Sequence, residues 1–132
     1  MQLHLDRPDH EFFLRGADGV SALVNERTLQ HSFIVAPDTL IEQWPVTDAS
    51  ALTAADLEPL LALNPELIVL GTGRLQVFPA PEVMAACLTR GVGIEVMANA
   101  AAARTFNVLA SEGRRVVAAF VFDLAGPERF PA

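Results

Sequence analysis

The chain has 132 residues, of which 52% are hydrophobic and 19% are charged, and this balance excludes intrinsic disorder and predicts one folded domain over residues 1–132. The 16 acidic and 9 basic side chains give a formal net charge of −7, which repels phosphate backbones and argues against nucleic-acid binding. Cys87 is the sole cysteine, so no intrachain disulfide and no thiolate pair are expected.

The first ten residues contain charged side chains and no apolar stretch behind a basic start. We therefore expect neither a secretory signal nor a transit peptide. No apolar run in the chain approaches the roughly 20 residues that span a bilayer. Together these features predict a cytoplasmic protein without a transmembrane segment.

Short apolar segments separated by turn-forming residues make up the N-terminal half, a pattern typical of antiparallel strands. The predicted strands cover residues 12–14, 20–24 and 31–35. The polar segment 25–28 is predicted to separate the last two strands. Residues 40–46 predict an irregular or edge strand, because Pro45 cannot donate to a strand ladder. Trp44, the sole tryptophan, is expected to pack in the core or at its rim.

The second half begins with a predicted helix over residues 54–63, with Thr53 as its N-cap and Asp56 in its first turn. The apolar run 67–70 predicts a strand that is buried on both faces of a sheet. Pro81 at a first helical position predicts another helix over residues 81–90. The remaining predicted elements are a strand over Gly93–Met97, a helix from its N-cap Asn99 to Glu112, a strand over 115–122 and a loose tail over 126–132.

This alternation of strands and helices predicts an α/β fold with a central mixed sheet. Parallel strand pairs with right-handed crossovers are expected in the second half. The N-terminal meander is expected to add antiparallel strands and a further layer.

The loop Gly71, Thr72, Gly73 and Arg74 follows the predicted buried strand, and ligands in such sheets bind outside the carboxyl ends of strands. Glycine there allows backbone N–H groups to approach an anion. The third glycine of a dinucleotide fingerprint and the lysine of a phosphate-binding loop are both missing, which argues against a nucleotide. The other interpretation is a tight turn in which Arg74 pairs with a surface carboxylate.

Three polar residues on the last predicted helix, Arg104, Asn107 and Ser111, share one face. If the 71–74 loop and the start of this helix are adjacent, Arg74 and Arg104 would converge on a carboxylate or a phosphate. A solvated helix face, with Arg104 paired to a nearby glutamate, is the alternative. Both interpretations remain open at the level of sequence.

The sequence contains no recognisable metal-binding, nucleophilic or acid–base catalytic motif. The three histidines are scattered, so we expect no metal site and no cofactor. No serine lies in a nucleophile elbow, and no carboxylates are paired in a local arrangement suited to acid–base catalysis. The sequence therefore favours a protein that is not an enzyme.

Three segments of the second half carry a family resemblance: LIVLGTG at 67–73, GIEVM at 93–97 and RTFNVLASEGR at 104–114. With them the chain resembles the small domain shared by mitochondrial complex I assembly factor 3 and many uncharacterised bacterial proteins. The resemblance implies a three-layer α/β fold with a central mixed sheet and no established enzymatic activity for the bacterial members. The mitochondrial relatives act by binding proteins.

The chain departs from this family at three places. Ala98 and Asn99 replace the usual Asp-Thr, Ala103 replaces a cysteine, and Phe106 replaces a tyrosine. These losses argue against a thiol-dependent reaction and against a tyrosine proton donor. The candidate residues for ligand or partner binding are Gly71, Thr72, Gly73, Arg74, Asn99, Arg104, Asn107 and Glu112.

The resemblance and the residues together predict a non-enzymatic binding module of the assembly-factor kind. Its expected partners are respiratory-complex or membrane-assembly proteins, and it is expected to be a monomer or a weak homo-oligomer. The alternative is a protein or enzyme that binds an anionic metabolite through the 71–74 loop and Arg104.

Overall fold

The computed structural model describes residues 10–122, so the predicted tail over 126–132 and the absence of a leader before residue 10 lie outside the described residues. Eight strands are described: β1 (Leu14–Ala17), β2 (Ala22–Val24), β3 (Arg27–Leu29), β4 (Phe33–Ala36), β5 (Thr39–Ile41), β6 (Leu67–Gly71), β7 (Gly93–Met97) and β8 (Val116–Phe120). The helices are α1 (Glu58–Leu61), α2 (Pro81–Leu88) and α3 (Asn99–Ser111), with 3₁₀ turns at Ala49–Ala51 and Ala54–Leu57.

Five strands form a central sheet in the order β5-β4-β8-β6-β7. β6 is parallel to both β7 and β8, whereas β4 is antiparallel to β5 and β8. The sheet is therefore mixed, as the alternating elements predict. Its middle strands are apolar on both faces because both faces are covered, and all five residues of β8 are buried.

Two hydrophobic clusters lie on opposite faces of the central sheet, which makes the fold a three-layer α/β structure as predicted. On one face, Ile68 and Leu70 of β6 pack with α1, α2 and the buried Trp44. On the other, Val69 of β6 and Phe120 of β8 pack with α3 and the N-terminal strands. The apolar stripe of α3 is thus turned towards the sheet.

The N-terminal strands β1, β2 and β3 form a separate antiparallel sheet. The expectation that residues 25–28 only connect strands was wrong, because β3 begins within this segment and pairs with β2. Asn25, with a positive φ of 54°, provides the turn between the two strands. A polar residue such as Arg27 is tolerated in β3 because one face of the small sheet is exposed to solvent. The guanidinium of Arg27 forms an ion pair with Glu42, which lies just beyond β5.

The predicted helix over residues 54–63 is shorter and tighter than expected. Thr53 is the N-cap and Asp56 lies in the first turn, as predicted, and the two form a capping box, but the chain continues as a 3₁₀ turn before the single α-helical turn α1. Pro59 lies at the start of α1, and Asn64, with a φ of 62°, follows its end. Within residues 10–122, no helix is long and apolar enough to cross a membrane.

Candidate functional site

The 71–74 loop leaves the carboxyl end of β6 and lies directly against the start of α3. The backbone N–H of Asn99 donates to the Gly73 carbonyl at 2.8 Å, and the N–H of Thr72 donates to the Met97 carbonyl at 3.0 Å. The loop and the helix start are therefore adjacent, which is the arrangement that the hypothesis of a site shared by Arg74 and Arg104 requires.

Asn99 lies at the centre of this region with a side chain that is 0% exposed. Its Oδ1 accepts from the Gly73 N–H at 3.1 Å. Its Nδ2 donates to the Asp18 carbonyl at 2.9 Å and to the Val121 carbonyl at 3.1 Å. One side chain thus joins three separate segments of the chain.

The prediction that Asn99 is the N-cap of α3 was wrong. Ala98 occupies that position, with extended backbone angles and no side-chain capping bond. Asn99 is the first residue of the helix, and its amide turns inwards, where the buried Gly73 N–H and Val121 carbonyl and the partly buried Asp18 carbonyl need partners.

Close packing requires the glycine at position 71, and the backbone angle requires the glycine at position 73. A Cβ at Gly71 would overlap Asn99 Oδ1 and would come within 3.1 Å of the Phe120 ring. Gly73 has a φ of +113°, which side chains rarely adopt. The Gly73 N–H, which would otherwise be available to an anion, is already bonded to Asn99.

Thr72 stabilises the loop from within. Its hydroxyl donates to the Leu75 carbonyl at 2.8 Å and accepts from the Val77 N–H at 3.0 Å. The side chain is nearly buried. The polar groups of Thr72 are thus used in shaping the loop.

The β1–β2 turn also contacts the loop, which the sequence analysis did not anticipate. Asp18 Oδ1 accepts from the N–H groups of Val20 and Ser21 at 2.9 and 2.8 Å. Gly19 lies against the backbone of Arg74, since a Cβ on Gly19 would come within 3.0 Å of the Arg74 Cβ. The Asp18-to-Ser21 spacing indicates a turn, but nothing local says which segment it packs against.

Asn107 does not belong to a free helix face with Arg104 and Ser111. It is half-buried, and its Oδ1 accepts from the Leu14 N–H at 2.9 Å while its Nδ2 donates to the Leu14 carbonyl at 2.7 Å. The amide of Asn107 therefore pairs with β1 as a neighbouring strand would. Arg104 and Ser111 are exposed.

Arg74 and Arg104 are exposed, and within residues 10–122 neither forms an ion pair. The structure therefore shows neither of the two ion pairs considered as alternatives, Arg74 with a surface carboxylate and Arg104 with a glutamate. Glu112 is exposed at the opposite end of α3, about 20 Å from Asn99 at 1.5 Å per residue. The structure thus separates Glu112 from the other candidates.

Two clefts that the sequence did not indicate have none of residues 71–74 in their lining. One, of about 430 Å³, is at the opposite end of the parallel strands and is lined in part by His10, Asp38, Arg114 and Arg115. The His10 ring in it stacks on Phe13 with a centroid separation of 5.9 Å. The other, of about 420 Å³, lies beside Trp44 and Ser32. Both are assembled from segments distant in sequence.

Among residues 10–122, two titratable groups have shifted pKa values, and both shifts have structural causes. A hydrogen bond from Arg114 to Glu66, at 2.5 Å, lowers the pKa of the Glu66 carboxyl. Burial raises the pKa of the Cys87 thiol, against an opposing effect of Arg90. Among residues 10–122, no three His, Cys, Asp or Glu side chains are grouped to hold a metal ion.

A family model described as protein of unknown function (DUF498/DUF598) matches residues 15–121, which include all eight strands except the first residue of β1. The chain belongs to this family. The resemblance of its second half to the complex I assembly factor is confirmed by the relatives that follow.

Three curated relatives of this DUF498/DUF598 member are similar over most of its length. The 13 kDa major membrane protein of Francisella tularensis is 30% identical over 95 residues, covering 71% of this chain and 77% of the relative. NADH dehydrogenase [ubiquinone] 1 alpha subcomplex assembly factor 3 is 33% identical in mouse and in zebrafish, over 67% and 78% of this chain. The chain spans only 48% of the mouse protein and 60% of the zebrafish protein.

Solved structures of bacterial proteins share the fold. An NMR structure from Xanthomonas campestris is 52% identical over the whole of both chains, with a TM-score of 0.82. A Bordetella pertussis protein described as a Mth938-like domain is 32% identical over 93% of both chains, with a TM-score of 0.76. The DUF498/DUF598 chain therefore has a Mth938-like fold.

Proposed function

We propose that this chain is a non-enzymatic protein-binding module of the assembly-factor kind, with partners among the proteins of respiratory complex I biogenesis. The similarity to the NADH dehydrogenase assembly factor, at 33% identity, supports the class of partner. Because the match spans about half of the mouse protein, the proposal concerns the shared domain.

One observation carries the binding function. The polar groups at the carboxyl end of β6 are used internally: the Gly73 N–H, the Thr72 hydroxyl and the Asn99 amide all bond to other parts of the chain. A reacting group or bound ligand needs polar atoms that point outwards. These atoms point inwards, which favours a structural role for the loop and leaves its outer surface for contact.

The outer surface consists of residues 74–78, which we call the 74–78 loop. Leu75 and Phe78 are 62% and 67% exposed, the two most exposed large hydrophobic residues among those described. Arg74 in the same loop is also exposed. Exposed aromatic and arginine side chains are enriched at protein interfaces, so this loop and Arg104 are the proposed contact surface.

Affinity purification of the tagged chain from its native cells, with mass spectrometry, tests this proposal. We expect recovery of respiratory-complex proteins, and their loss in the Arg74→Ala/Arg104→Ala variant. The matched control is Arg90→Ala/Arg115→Ala, which removes the same charge from exposed positions at the opposite end of the parallel strands. Equal recovery with both variants, or no respiratory-complex protein at all, would contradict the proposal.

A second candidate function is binding of a small anionic metabolite between Arg74 and Arg104. It is favoured by one observation, that both guanidinium groups are exposed and form no ion pair within residues 10–122. Thermal unfolding in phosphate or citrate, compared with chloride at equal ionic strength, tests it. A stabilisation that the Arg74→Ala/Arg104→Ala variant lacks would support this function over the first.

A further inference from the structure

Among residues 10–122, β7 is an edge strand of the central sheet. β7 is the last strand in the order β5-β4-β8-β6-β7, and no other strand within residues 10–122 pairs with its outer side. Edge strands present unpaired N–H and C=O groups that act as templates for another strand. Which groups point outwards on β7 follows from its pairing with β6.

The ladder with β6 fixes the direction of each backbone group. The Gly93 N–H donates to the Glu66 carbonyl at 3.1 Å, and the Met97 carbonyl accepts from the Thr72 N–H at 3.0 Å. Because bonded residues alternate along a parallel strand, Glu95 also bonds inwards, and Ile94 and Val96 direct their N–H and C=O groups outwards. The edge thus offers two residues, four backbone groups in all.

One of these four groups is already bonded. The side chain of Gln76, in the 74–78 loop, donates from Nε2 to the Val96 carbonyl at 2.8 Å. Leu75 lies directly before Gln76 and Phe78 two residues after it, so the exposed apolar surface of the loop adjoins this end of the edge. A strand that adds to β7 would displace the Gln76 amide and gain apolar contact with the loop.

Charge selects between two kinds of strand that would fit this edge. If two copies of the chain paired their β7 strands antiparallel, with Ile94 of each opposite Val96 of the other, Glu95 of one copy would lie directly opposite Glu95 of the second copy. Glu95 is exposed and lies on the α3 side of the sheet with Val69. Directly opposed like charges destabilise strand pairing, whereas opposite charges stabilise it. Glu95 therefore disfavours self-pairing and favours a partner with a basic residue at that position.

We propose that the outer edge of β7 binds an extended segment of a partner protein by strand addition. The segment carries Lys or Arg opposite Glu95 and apolar residues on either side of it, which pair with Ile94 and Val96. The proposal rests on the protein-binding function above and adds its geometry. The net charge of −7 agrees with a basic partner.

A peptide titration tests the edge without the physiological partner. The probe is a synthetic Thr-Val-Lys-Val-Thr peptide with blocked termini, added to the ¹⁵N-labelled full chain. We expect saturable shifts and slower hydrogen exchange at the Ile94 and Val96 amides, whereas the Glu95 amide is already protected by β6. The peptide with Glu in place of Lys should bind about fivefold more weakly than the Lys peptide, because it replaces a favourable cross-strand charge pair with a repulsive one.

Two variants and a control sharpen this test. Glu95→Lys should reverse the preference between the two peptides, and Gln76→Ala should strengthen binding because it frees the Val96 carbonyl. Glu26→Lys makes the same change of net charge in the exposed turn between β2 and β3 and should leave the preference unchanged. An unchanged preference in Glu95→Lys would overturn the assignment of the basic residue.

The remaining outcomes separate this proposal from the general one. Absence of any change at the Ile94 and Val96 amides, at millimolar peptide, overturns strand addition even if purification recovers respiratory-complex proteins. Protection of these amides by self-association of the wild-type chain would assign the edge to a second copy and overturn the basic partner. Peptide binding at these amides without respiratory-complex proteins in the purification would support the edge and contradict the assembly function.

Discussion

Asn99 Oδ1 occupies the space that a Cβ at Gly71 would need. The Asn99 amide can therefore pack in this position only because residue 71 has no side chain. The same oxygen accepts from the Gly73 N–H, and the Nδ2 of Asn99 reaches the carbonyl of Asp18, 81 residues earlier in the chain. The end of β6, the end of β8 and the β1–β2 turn are held together at this point.

We expect Gly71→Ala to lower the free energy of unfolding by about 1–3 kcal/mol, because the added methyl group overlaps a buried amide. Asn99→Ala should cost about 3 kcal/mol, since it leaves two buried backbone groups and the partly buried Asp18 carbonyl without their partner. The double variant should cost less than the sum, because removing the amide removes the overlap. Denaturant unfolding of the four proteins measures this coupling, and strict additivity would contradict the overlap.

Asn107 connects α3 to the N-terminal sheet, and its replacement should loosen that connection. Asn107→Ala is expected to lower the free energy of unfolding by about 1–3 kcal/mol, as both of its hydrogen bonds to Leu14 are lost. Hydrogen exchange at the Leu14 amide should accelerate at the same time. Arg104→Ala, one turn earlier on the exposed face, is the control and should change stability by no more than about 0.5 kcal/mol. Equal effects of the two changes would be inconsistent with this structure.

Trp44 is the sole tryptophan of the chain, so its fluorescence reports on the packing of the core. It is 4% exposed, and its Nε1 donates to the Asp56 carbonyl at 3.0 Å. We expect a blue-shifted emission that acrylamide quenches poorly until the protein unfolds. Trp44→Phe should destabilise the fold by about 1–3 kcal/mol, because the Asp56 carbonyl loses its partner. Efficient quenching in the native state would place this side chain at the surface, where a contact aromatic would lie.

The ion pair between Glu66 and Arg114 should make stability fall on the acid side. Arg114 lowers the pKa of Glu66 in the folded state below its ordinary value of 4.5, so the folded state favours the charged form. The stabilisation is therefore present above about pH 4.5 and is lost as the pH falls through the lowered pKa. The stability difference between wild type and Glu66→Gln should shrink on acidification, as measured by denaturant unfolding. Glu26→Gln, an exposed change in the β2–β3 turn, is the control.

The fold from residue 67 onwards could be predicted closely from the sequence, because its signals are local. The strand over Gly93–Met97 has the predicted bounds, and Pro81 begins α2 as expected. The N-terminal strands were predicted less well. β1 and β2 each begin two residues later than predicted, and β3 was missed because polar residues on a half-exposed strand look like a loop.

The candidate site was predicted only in part. The sequence raised adjacency of the 71–74 loop and the start of α3 only as a condition for an anion site, and in the structure the Asn99 N–H bonds to the Gly73 carbonyl. It did not indicate that the Asn99 amide faces inwards or that Asn107 pairs with β1. A polar residue near a helix start has the same local pattern whether it caps the helix or bonds to a distant carbonyl.

The sequence by itself determined the class of fold, the alternation of strands and helices after residue 67 and the family to which the chain belongs, because hydrophobic period, glycine and proline act over a few residues. Only the tertiary structure decided the strand order, the internal bonding of Asn99 and the place of β7 at the edge of the described sheet. These depend on contacts between segments up to 93 residues apart, as between Asn107 and Leu14, and no local pattern specifies which distant group lies opposite.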